Sequence, residues 1–265
     1  MNNMIYELLR DAKHVLIRFF EIQKNEVAVF FHRNMYSDMC KFKSAGKGKR
    51  LFIVATGPSL TINDLDLLKG EDCFSCNSII YTFNKTNWRP KYYAVCDTNV
   101  YNILKKDIEK ANIQNLFFPK ERMNFECENK YGFHIHEHLC RTAGERKLVP
   151  HFLQKRRFSK DIVKGIYEGG SVIFVILQIA FYMGYDTIYF LGADCNFMTQ
   201  SLHSSVVEYN MKQMNSAVDI ENGLFRDYYK AKLEAEKLGI KIYNATRGGK
   251  LELFPRVRLE DVINK

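Results

Sequence analysis

The stretch KRLFIVATGPSL, residues 49–60, decides the fold predicted for this chain. Residues 51–55 form a continuous apolar run with the length and β-branched content of a strand buried on both faces, and the run stops at the Gly-Pro pair 57–58. A helix is predicted next, because Thr61 and Asp64 have the spacing of a capping box. A buried strand, a glycine turn and a helix N-terminus bring free backbone N–H groups to one point, which suits a phosphate. An ordinary strand-to-helix turn of an α/β domain has the same pattern.

The composition is that of a globular protein with an anionic partner. The chain has 265 residues, of which 46% are hydrophobic and 26% charged, so it can bury a substantial core. Its net charge of +9 favours a nucleotide, a phosphorylated glycan or an acidic membrane surface as the partner. The positive charge is scattered and no nucleic-acid motif is present, so we expect no nucleic acid as partner. Seven irregularly placed cysteines indicate reduced thiols in a cytosol rather than a disulfide framework.

The N-terminal segment is expected to be helical and peripheral. Residues 1–42 are predicted to form one or two amphipathic helices, and residues 41–50 a polar linker. Charged residues interrupt the segment too often for a signal peptide or for a transmembrane span of about 20 apolar residues. We expect it to dock on the domain or on another subunit, with contact to the inner face of the membrane as the alternative. The predicted boundaries are 1–45 for this segment and 46–265 for the catalytic α/β domain.

Three further predicted strands end in residues suited to ligand contact. In open α/β sheets, ligands bind outside the carboxyl ends of the strands. Residues that follow or end the strands are therefore candidates for the nucleotide site. These residues are Asn77, Asp97, Gly192 and Asp194.

A second glycine turn precedes a buried helix. The apolar pattern of residues 172–183 predicts that helix, and Gly184 is predicted to end it as a C′ glycine. The backbone N–H groups of the turn before it are expected to face an anion, as in the first turn. The turn consists of Gly169, Gly170 and Ser171.

Two histidine-bearing segments lie outside the predicted core. His134, His136 and His138 alternate, so on a strand all three share one face. A metal site, a mobile substrate-covering region and a solvated strand all fit this composition. The polar stretch 195–222 is longer than a usual connection and is predicted to be a lid. It holds His203, which is either the catalytic base or an ordinary exposed loop histidine.

Four blocks of sequence carry a resemblance to a known family. They are ATGPSL at 55–60, FSCN at 74–77, MGYDTIYFLGAD at 183–194 and IYNAT at 242–246. In this order they resemble the domain shared by 6-hydroxymethylpterin diphosphokinase-like proteins and the bacterial family-42 sialyltransferases. The resemblance implies a Rossmann-like α/β fold, a mostly parallel sheet with helices on both faces, and it leaves the N-terminal helices unassigned.

The resemblance also implies a nucleotide site. In the sialyltransferases, the Rossmann-like domain holds CMP-sialic acid, and a histidine deprotonates the acceptor hydroxyl without a metal. By resemblance, Gly57, Pro58, Ser59 and Asn77 line the nucleotide site of this chain. Thr56 stands where the family has asparagine, so a hydroxyl replaces an amide there.

The leading hypothesis is a cytoplasmic glycosyltransferase-like enzyme. It transfers sialic acid or a related acidic sugar from a CMP-activated donor to a glycan acceptor of a capsule or lipopolysaccharide, with His203 as base and no cofactor. Such a transfer needs hydrogen-bond donors for the departing phosphate and a base with a pKa near neutral. One alternative is a Mg²⁺-dependent diphosphokinase acting on a hydroxymethylpterin-like substrate, with Asp97 and Asp194 as metal ligands. The other is a non-catalytic nucleotide-binding assembly module.

Overall fold

The computed structural model describes residues 2–31, 33–140, 143–154, 157–196 and 217–263. The strands within them are β1 (Arg50–Val54), β2 (Cys73–Cys76), β3 (Tyr92–Ala94), β4 (Leu116–Pro119), β5 (Lys130–Phe133), β6 (Ile135–His136), β7 (Ile166–Tyr167), β8 (Thr187–Leu191) and β9 (Lys241–Asn244). The α-helices are α1 (Asn2–Phe31), α2 (Ile62–Leu67), α3 (Thr98–Lys110), α4 (Ala143–Leu148), α5 (Val172–Tyr182), α6 (Ala217–Leu238) and α7 (Leu259–Ile263). Three 3-10 helices cover Arg33–Phe42, Asn77–Thr82 and His151–Gln154.

Seven strands form one parallel sheet in the order β5-β4-β3-β2-β1-β8-β9, and β6 pairs with β7 separately. Side chains alternate between the two faces of the sheet. Leu51 and Ile53 face a layer that contains α5 and α6, whereas Phe52 and Val54 face α2, α3 and α7. Both faces of the central strands are therefore buried, which is why the strands are continuous apolar runs. The predicted fold class is confirmed.

Local signals set the ends of the elements next to the sheet as predicted. The backbone N–H of Asp64 donates to Thr61 Oγ1 at 3.2 Å, and the N–H of Thr61 donates to Asp64 Oδ2 at 2.9 Å, which completes the capping box of α2. Gly184 follows α5 with a φ of +73°, the left-handed conformation expected of a C′ glycine.

The N-terminal segment has two parts with different surroundings. The 3-10 helix Arg33–Phe42 packs into the core, where the Phe42 ring lies 4.8 Å from the rings of Phe117 and Tyr131. Within the predicted polar linker, residues 41–50, Phe42 and Gly46 are buried and the other residues are exposed or partly exposed. A Cβ at Gly46 would meet the ring of Tyr185 at 2.5 Å.

The long helix α1 leaves most of its apolar side chains outside the core. Leu9, Leu16 and Phe20 are 65%, 59% and 68% exposed. The helix is attached through polar side chains instead, because Arg18 Nη1 donates to Glu145 Oε2 at 2.9 Å and to a main-chain carbonyl at 2.8 Å. The expected docking of its apolar stripe on its own domain is therefore not observed. Over the ranges described above, no helix combines the length and apolarity needed to cross a bilayer.

Candidate functional site

The strand order reverses between β1 and β8. From β1 the chain runs outward to β5 on one side, and β8 and β9 lie on the other side. At such a switch point the loops after the two strands turn away from each other and leave a crevice at the carboxyl edge, where open α/β sheets bind ligands. The loop 55–60 follows β1 and the loop 192–196 follows β8. The two stretches that the sequence predicted to bind a nucleotide therefore lie side by side.

The two loops are in direct contact through glycines and one carboxylate. The N–H of Gly57 donates to the carbonyl of Gly192 at 2.8 Å. Ser59 donates its hydroxyl to Asp194 Oδ2 at 2.9 Å, and its N–H points at the same oxygen at 3.4 Å. A Cβ on Gly57 would lie 1.9 Å from Asp194 Oδ2, so only glycine permits this approach. The arrangement brings together Gly57, Ser59, Gly192 and Asp194, four of the residues predicted for the nucleotide site.

The surroundings of Asp194 shift its pKa upward. The side chain is buried, and burial raises its pKa, although the hydrogen bonds from Ser59 and the charge of Arg256 act in the opposite direction.

The loop after β9 completes one wall of the crevice, and the site prediction did not include it. Thr246 Oγ1 accepts the N–H of Ala193 at 3.0 Å. The N–H of Lys250 donates to the carbonyl of Asp194 at 2.7 Å, and Gly249 has a φ of +74° where a Cβ would meet that carbonyl at 2.5 Å. The block IYNAT pointed to this strand end, but only the pairing of β9 with β8 places Thr246 beside the crevice.

Asn77 stands at the end of β2, the strand next to β1. It has a φ of +50°, which asparagine tolerates better than most residues. The Tyr93 hydroxyl donates to its main-chain carbonyl. Its side-chain Oδ1 is buried and has no hydrogen-bond partner among the described residues. Since buried polar atoms are nearly always paired, this oxygen has an unused capacity to accept a hydrogen bond.

The N-terminus of α5 supplies a second unused oxygen. Ser171 precedes the helix, makes no side-chain capping bond, and has a buried Oγ without a hydrogen-bond partner among the described residues. Only a short turn joins the end of α5 to β8, so its beginning lies at the carboxyl edge of the sheet. The structure differs from the prediction that this turn has free backbone N–H groups. The N–H of Gly170 already donates to Asp227 Oδ2 of α6 at 2.5 Å, and Gly169 packs on the ring of Phe174.

Asp97 has another role in the described structure. Its Oδ1 accepts the N–H groups of Asn99 and Val100 at 2.7 and 3.2 Å, which makes it the N-cap of α3. β3 and β8 are separated by β2 and β1, or three strand spacings of about 4.8 Å each. One Mg²⁺ ion therefore cannot bind Asp97 and Asp194 together, and these residues do not fit the metal pair of the diphosphokinase alternative.

Three further predicted site residues are Thr56, Pro58 and His203. Thr56 is half-buried and Pro58 exposed, and both lie in the loop between β1 and α2. His203 lies outside the described residues, as does most of the predicted lid.

Comparison with models of known protein families identifies the family to which the chain belongs. The family model described as 6-hydroxymethylpterin diphosphokinase MptE-like matches residues 29–200, more than half of the chain. The chain belongs to this MptE-like family. The match runs from the end of α1 to just beyond β8 and so includes both loops of the crevice. A search of curated proteins finds no match.

Solved structures similar to this MptE-like chain include two glycosyltransferases. The MAf glycosyltransferase from Magnetospirillum magneticum AMB-1 aligns with a TM-score of 0.45 and 13% identity over 85% of this chain. This chain spans 38% of the length of that protein. The sialyltransferase CstII from Campylobacter jejuni, in complex with the substrate analogue CMP-3FNeuAc, aligns with a TM-score of 0.43 and 16% identity over 79% of this chain and 86% of its own.

Proposed function

We propose that this MptE-like chain is a glycosyltransferase-like enzyme that transfers a sugar from a CMP-activated donor to a glycan acceptor. The observation that carries the proposal is the buried, unpartnered Oδ1 of Asn77 at the carboxyl end of β2, the neighbour of the strand β1 that borders the crevice. An amide at this position offers an acceptor and two donors to a nucleoside. Gly57 lets the loop after β1 come close to the loop after β8, which forms the crevice, and the Ser171 hydroxyl lies at the same edge of the sheet.

The proposed reaction is a single displacement. The acceptor hydroxyl oxygen bonds to the anomeric carbon of the sugar while the bond from that carbon to the phosphate oxygen breaks, and CMP leaves with the electron pair. His203 is the proposed base that takes the hydroxyl proton, because a histidine pKa near neutral suits this step. The Ser171 hydroxyl, which has no hydrogen-bond partner among the described residues, is the proposed donor to the charge on the leaving phosphate. The proposed donor sugar is sialic acid or a related acidic sugar, and the proposed setting is cytoplasmic synthesis of a capsule or lipopolysaccharide.

The family description favours a second candidate, a diphosphokinase that acts on a hydroxymethylpterin-like substrate. Diphosphoryl transfer from ATP needs Mg²⁺ to neutralise the phosphate charge. Asp97 caps a helix three strands from Asp194, so this reaction requires metal ligands other than that pair. A third candidate, a nucleotide-binding assembly module, is favoured by the exposed apolar stripe of α1.

A ligand screen separates these candidates. Thermal unfolding is measured with CMP, CDP, UDP, GDP, ADP and ATP, each with and without Mg²⁺. A ligand at 100 times its dissociation constant stabilises the native state by about 2.7 kcal/mol. Selective stabilisation by CMP without metal supports the proposal, and stabilisation only by ATP with Mg²⁺ supports the diphosphokinase. Stabilisation by a nucleotide without turnover of any donor supports the assembly module.

A matched pair of variants tests the role of Asn77. Asn77→Asp keeps a residue type that tolerates the left-handed backbone but removes the amide donors and adds a charge near the phosphate. Asn112→Asp is the control, because Asn112 has a similar φ of +47° and lies exposed after α3. We expect Asn77→Asp to abolish the CMP-induced shift and Asn112→Asp to retain it. Equal shifts in the two variants would remove Asn77 from the proposed site.

We also propose that α1 mediates self-association. Its sequence has four acidic and four basic residues, so it has no net charge to attract it to an acidic membrane, while its apolar side chains remain exposed. Sedimentation velocity on wild type and on Phe20→Glu is the test, with flotation on anionic vesicles in parallel. Loss of a dimer in the variant supports the proposal. Vesicle binding by a monomeric wild type contradicts it.

A further inference from the structure

A cluster of ionisable side chains joins α1 to the short strand β6. Glu26 Oε1 lies 2.5 Å from Nδ1 of His136 and 3.6 Å from Nε2 of His134. One side-chain ligand atom from each of the three residues lies within 4.8 Å of the other two, and no other such group of histidine, cysteine or carboxylate side chains occurs among the residues that the structure describes. None of the three belongs to the candidate nucleotide site.

A carboxylate fixes the orientation of His134. Its Nδ1 lies 2.6 Å from Glu121 Oε1, and the Tyr36 hydroxyl donates to the same carboxylate oxygen at 2.6 Å. A carboxylate on one imidazole nitrogen sets the tautomer and directs the other nitrogen toward a metal in many protein sites. That other nitrogen, Nε2, is buried and has no hydrogen-bond partner in the described chain, and the side chain is only 2% exposed. The unpaired nitrogen points toward Glu26 and His136.

We propose that Glu26, His134 and His136 bind one divalent transition-metal ion, for which Zn²⁺ is the best match. Two imidazole nitrogens and one carboxylate oxygen form a common Zn²⁺ ligand set, with water or another group in the fourth position. Glu121 acts as the carboxylate that positions His134. The site is distinct from the Mg²⁺ of the diphosphokinase alternative, because Mg²⁺ prefers oxygen ligands.

The geometry is close to that of a loaded site. Zn²⁺ bonds of about 2.0–2.2 Å place tetrahedral ligand atoms about 3.4 Å apart. The carboxylate of Glu26 must therefore withdraw by about 1 Å from His136, and its 39% exposed side chain on α1 leaves room for that movement.

The bound ion would fasten α1 to the domain. Apart from the Glu26 contacts, the described polar attachment of α1 is made by Arg18 to Glu145 and to the carbonyl of Leu139. A metal bond from Glu26 to two histidines beside the sheet adds a second, stronger attachment about two turns further along the helix. The inferred role is structural, and it holds the exposed apolar stripe of α1 in a fixed orientation.

The test uses the full chain, stripped of metal by a chelator and kept reduced so that its seven free cysteines form no disulfides. Calorimetric titration with Zn²⁺ is expected to give one site per chain and a raised thermal midpoint. Co²⁺ is expected to give the visible absorption of a tetrahedral site without a thiolate charge-transfer band. We expect Glu121→Gln to weaken Zn²⁺ binding about 10–100-fold, as for other orienting carboxylates, and His136→Gln or Glu26→Gln to weaken it further.

The matched control is His138→Gln. His138 belongs to the same alternating run of histidines but is not a member of the group. The His138→Gln variant should bind Zn²⁺ with the affinity of the wild type. Circular dichroism of each metal-free variant verifies that it is folded. The proposal is overturned by the absence of saturable Zn²⁺ binding, by equal affinity in His136→Gln and His138→Gln, or by a Co²⁺ spectrum that shows cysteine ligands.

Discussion

Replacement of Gly57 by alanine tests the contact between the two loops of the crevice most directly. A Cβ at this position lies 1.9 Å from Asp194 Oδ2 and 2.4 Å from the carbonyl oxygen of Gly192. The carboxylate can rotate away only by giving up the hydrogen bond from Ser59, and the carbonyl can retreat only by giving up the N–H of Gly57 at 2.8 Å. Gly57→Ala must therefore separate the loops after β1 and β8.

The size of the effect follows from these contacts. Overpacking costs about 1–3 kcal/mol. The lost main-chain hydrogen bond adds about 1 kcal/mol, so we expect the free energy of unfolding to fall by about 2–4 kcal/mol. For a domain of this size the thermal midpoint should fall by roughly 4–16 °C. Because the loops that form the crevice move apart, CMP should no longer raise that midpoint.

Differential scanning calorimetry with and without CMP is the assay, and a double-mutant cycle supplies the control. If the Asp194 carboxylate causes much of the clash, Asp194→Ala should relieve it, and the pair should show a favourable coupling of about 0.5–3 kcal/mol. Gly70→Ala is a second control, because its Cβ meets nothing within 4 Å and only the strain of a φ of +87° remains. A Gly57→Ala midpoint within 2 °C of wild type, or strict additivity with Asp194→Ala, would refute the reasoning.

Three further predictions concern the core, a buried carboxylate and the proposed base. Phe42→Ala should lower the free energy of unfolding by about 3–5 kcal/mol in urea, because its buried ring packs on two others, whereas Ile103→Ala on the exposed face of α3 should change it by less than about 0.5 kcal/mol. Asp64 is buried and, although burial raises its pKa, hydrogen bonds from Arg247 at 2.5 and 2.7 Å help to lower it. The ionised Asp64 carboxylate therefore stabilises the fold above the unfolded pKa of about 3.9, and this contribution is lost as the pH falls. Arg247→Met should lower the free energy of unfolding by about 1–3 kcal/mol at pH 7 and by clearly less at pH 3.5. Equal losses at the two pH values would refute the pairing. His203→Ala should reduce sugar transfer at least ~100-fold without moving the thermal midpoint, and a loss of a few-fold would exclude it as the base.

The parts of the fold that could be predicted are those that local sequence determines. A strand buried on both faces must be apolar throughout, and this pattern identified residues 51–54 and 188–191 as strands. Helix ends depend on residues within one turn of each other, so Thr61 with Asp64 and the C′ glycine Gly184 were sufficient signals.

The 3-10 helix Arg33–Phe42 could not be recognised in this way. Only Tyr36, Met39 and Phe42 among its described side chains are buried, and they are surrounded by polar and charged neighbours. Such a three-residue spacing resembles the apolar stripe of an ordinary surface helix, and burial against the rings of β4 and β5 depends on partners far away in the sequence. The converse error concerns α1, whose apolar residues have a clear helical pattern but no partner surface within the domain. A periodic pattern indicates that a face is apolar and does not say what covers it.

The site was predictable as a set of strand ends but not as a geometry. Asn77, Asp97 and Asp194 all follow parallel strands, and by sequence alone they are equivalent. The strand order separates them, because β1 and β8 are neighbours across the reversal while β3 lies two strands from β1 on one side. Asp97 then serves its own helix as N-cap, and Asp194 faces the loop of Gly57.

Asp194 explains two glycines that no local rule connects. The Oδ2 of this carboxylate excludes a side chain at Gly57, and its main-chain carbonyl excludes one at Gly249, although these glycines are almost two hundred residues apart in the chain. Its burial against both loops raises its pKa, so the packing that requires the glycines also affects the titration of this carboxyl group. Changes at either glycine should therefore alter the titration of Asp194 as well as stability. The crevice is for this reason best understood as one unit built from the loops after β1, β8 and β9, rather than as a phosphate-binding motif contained in residues 49–60.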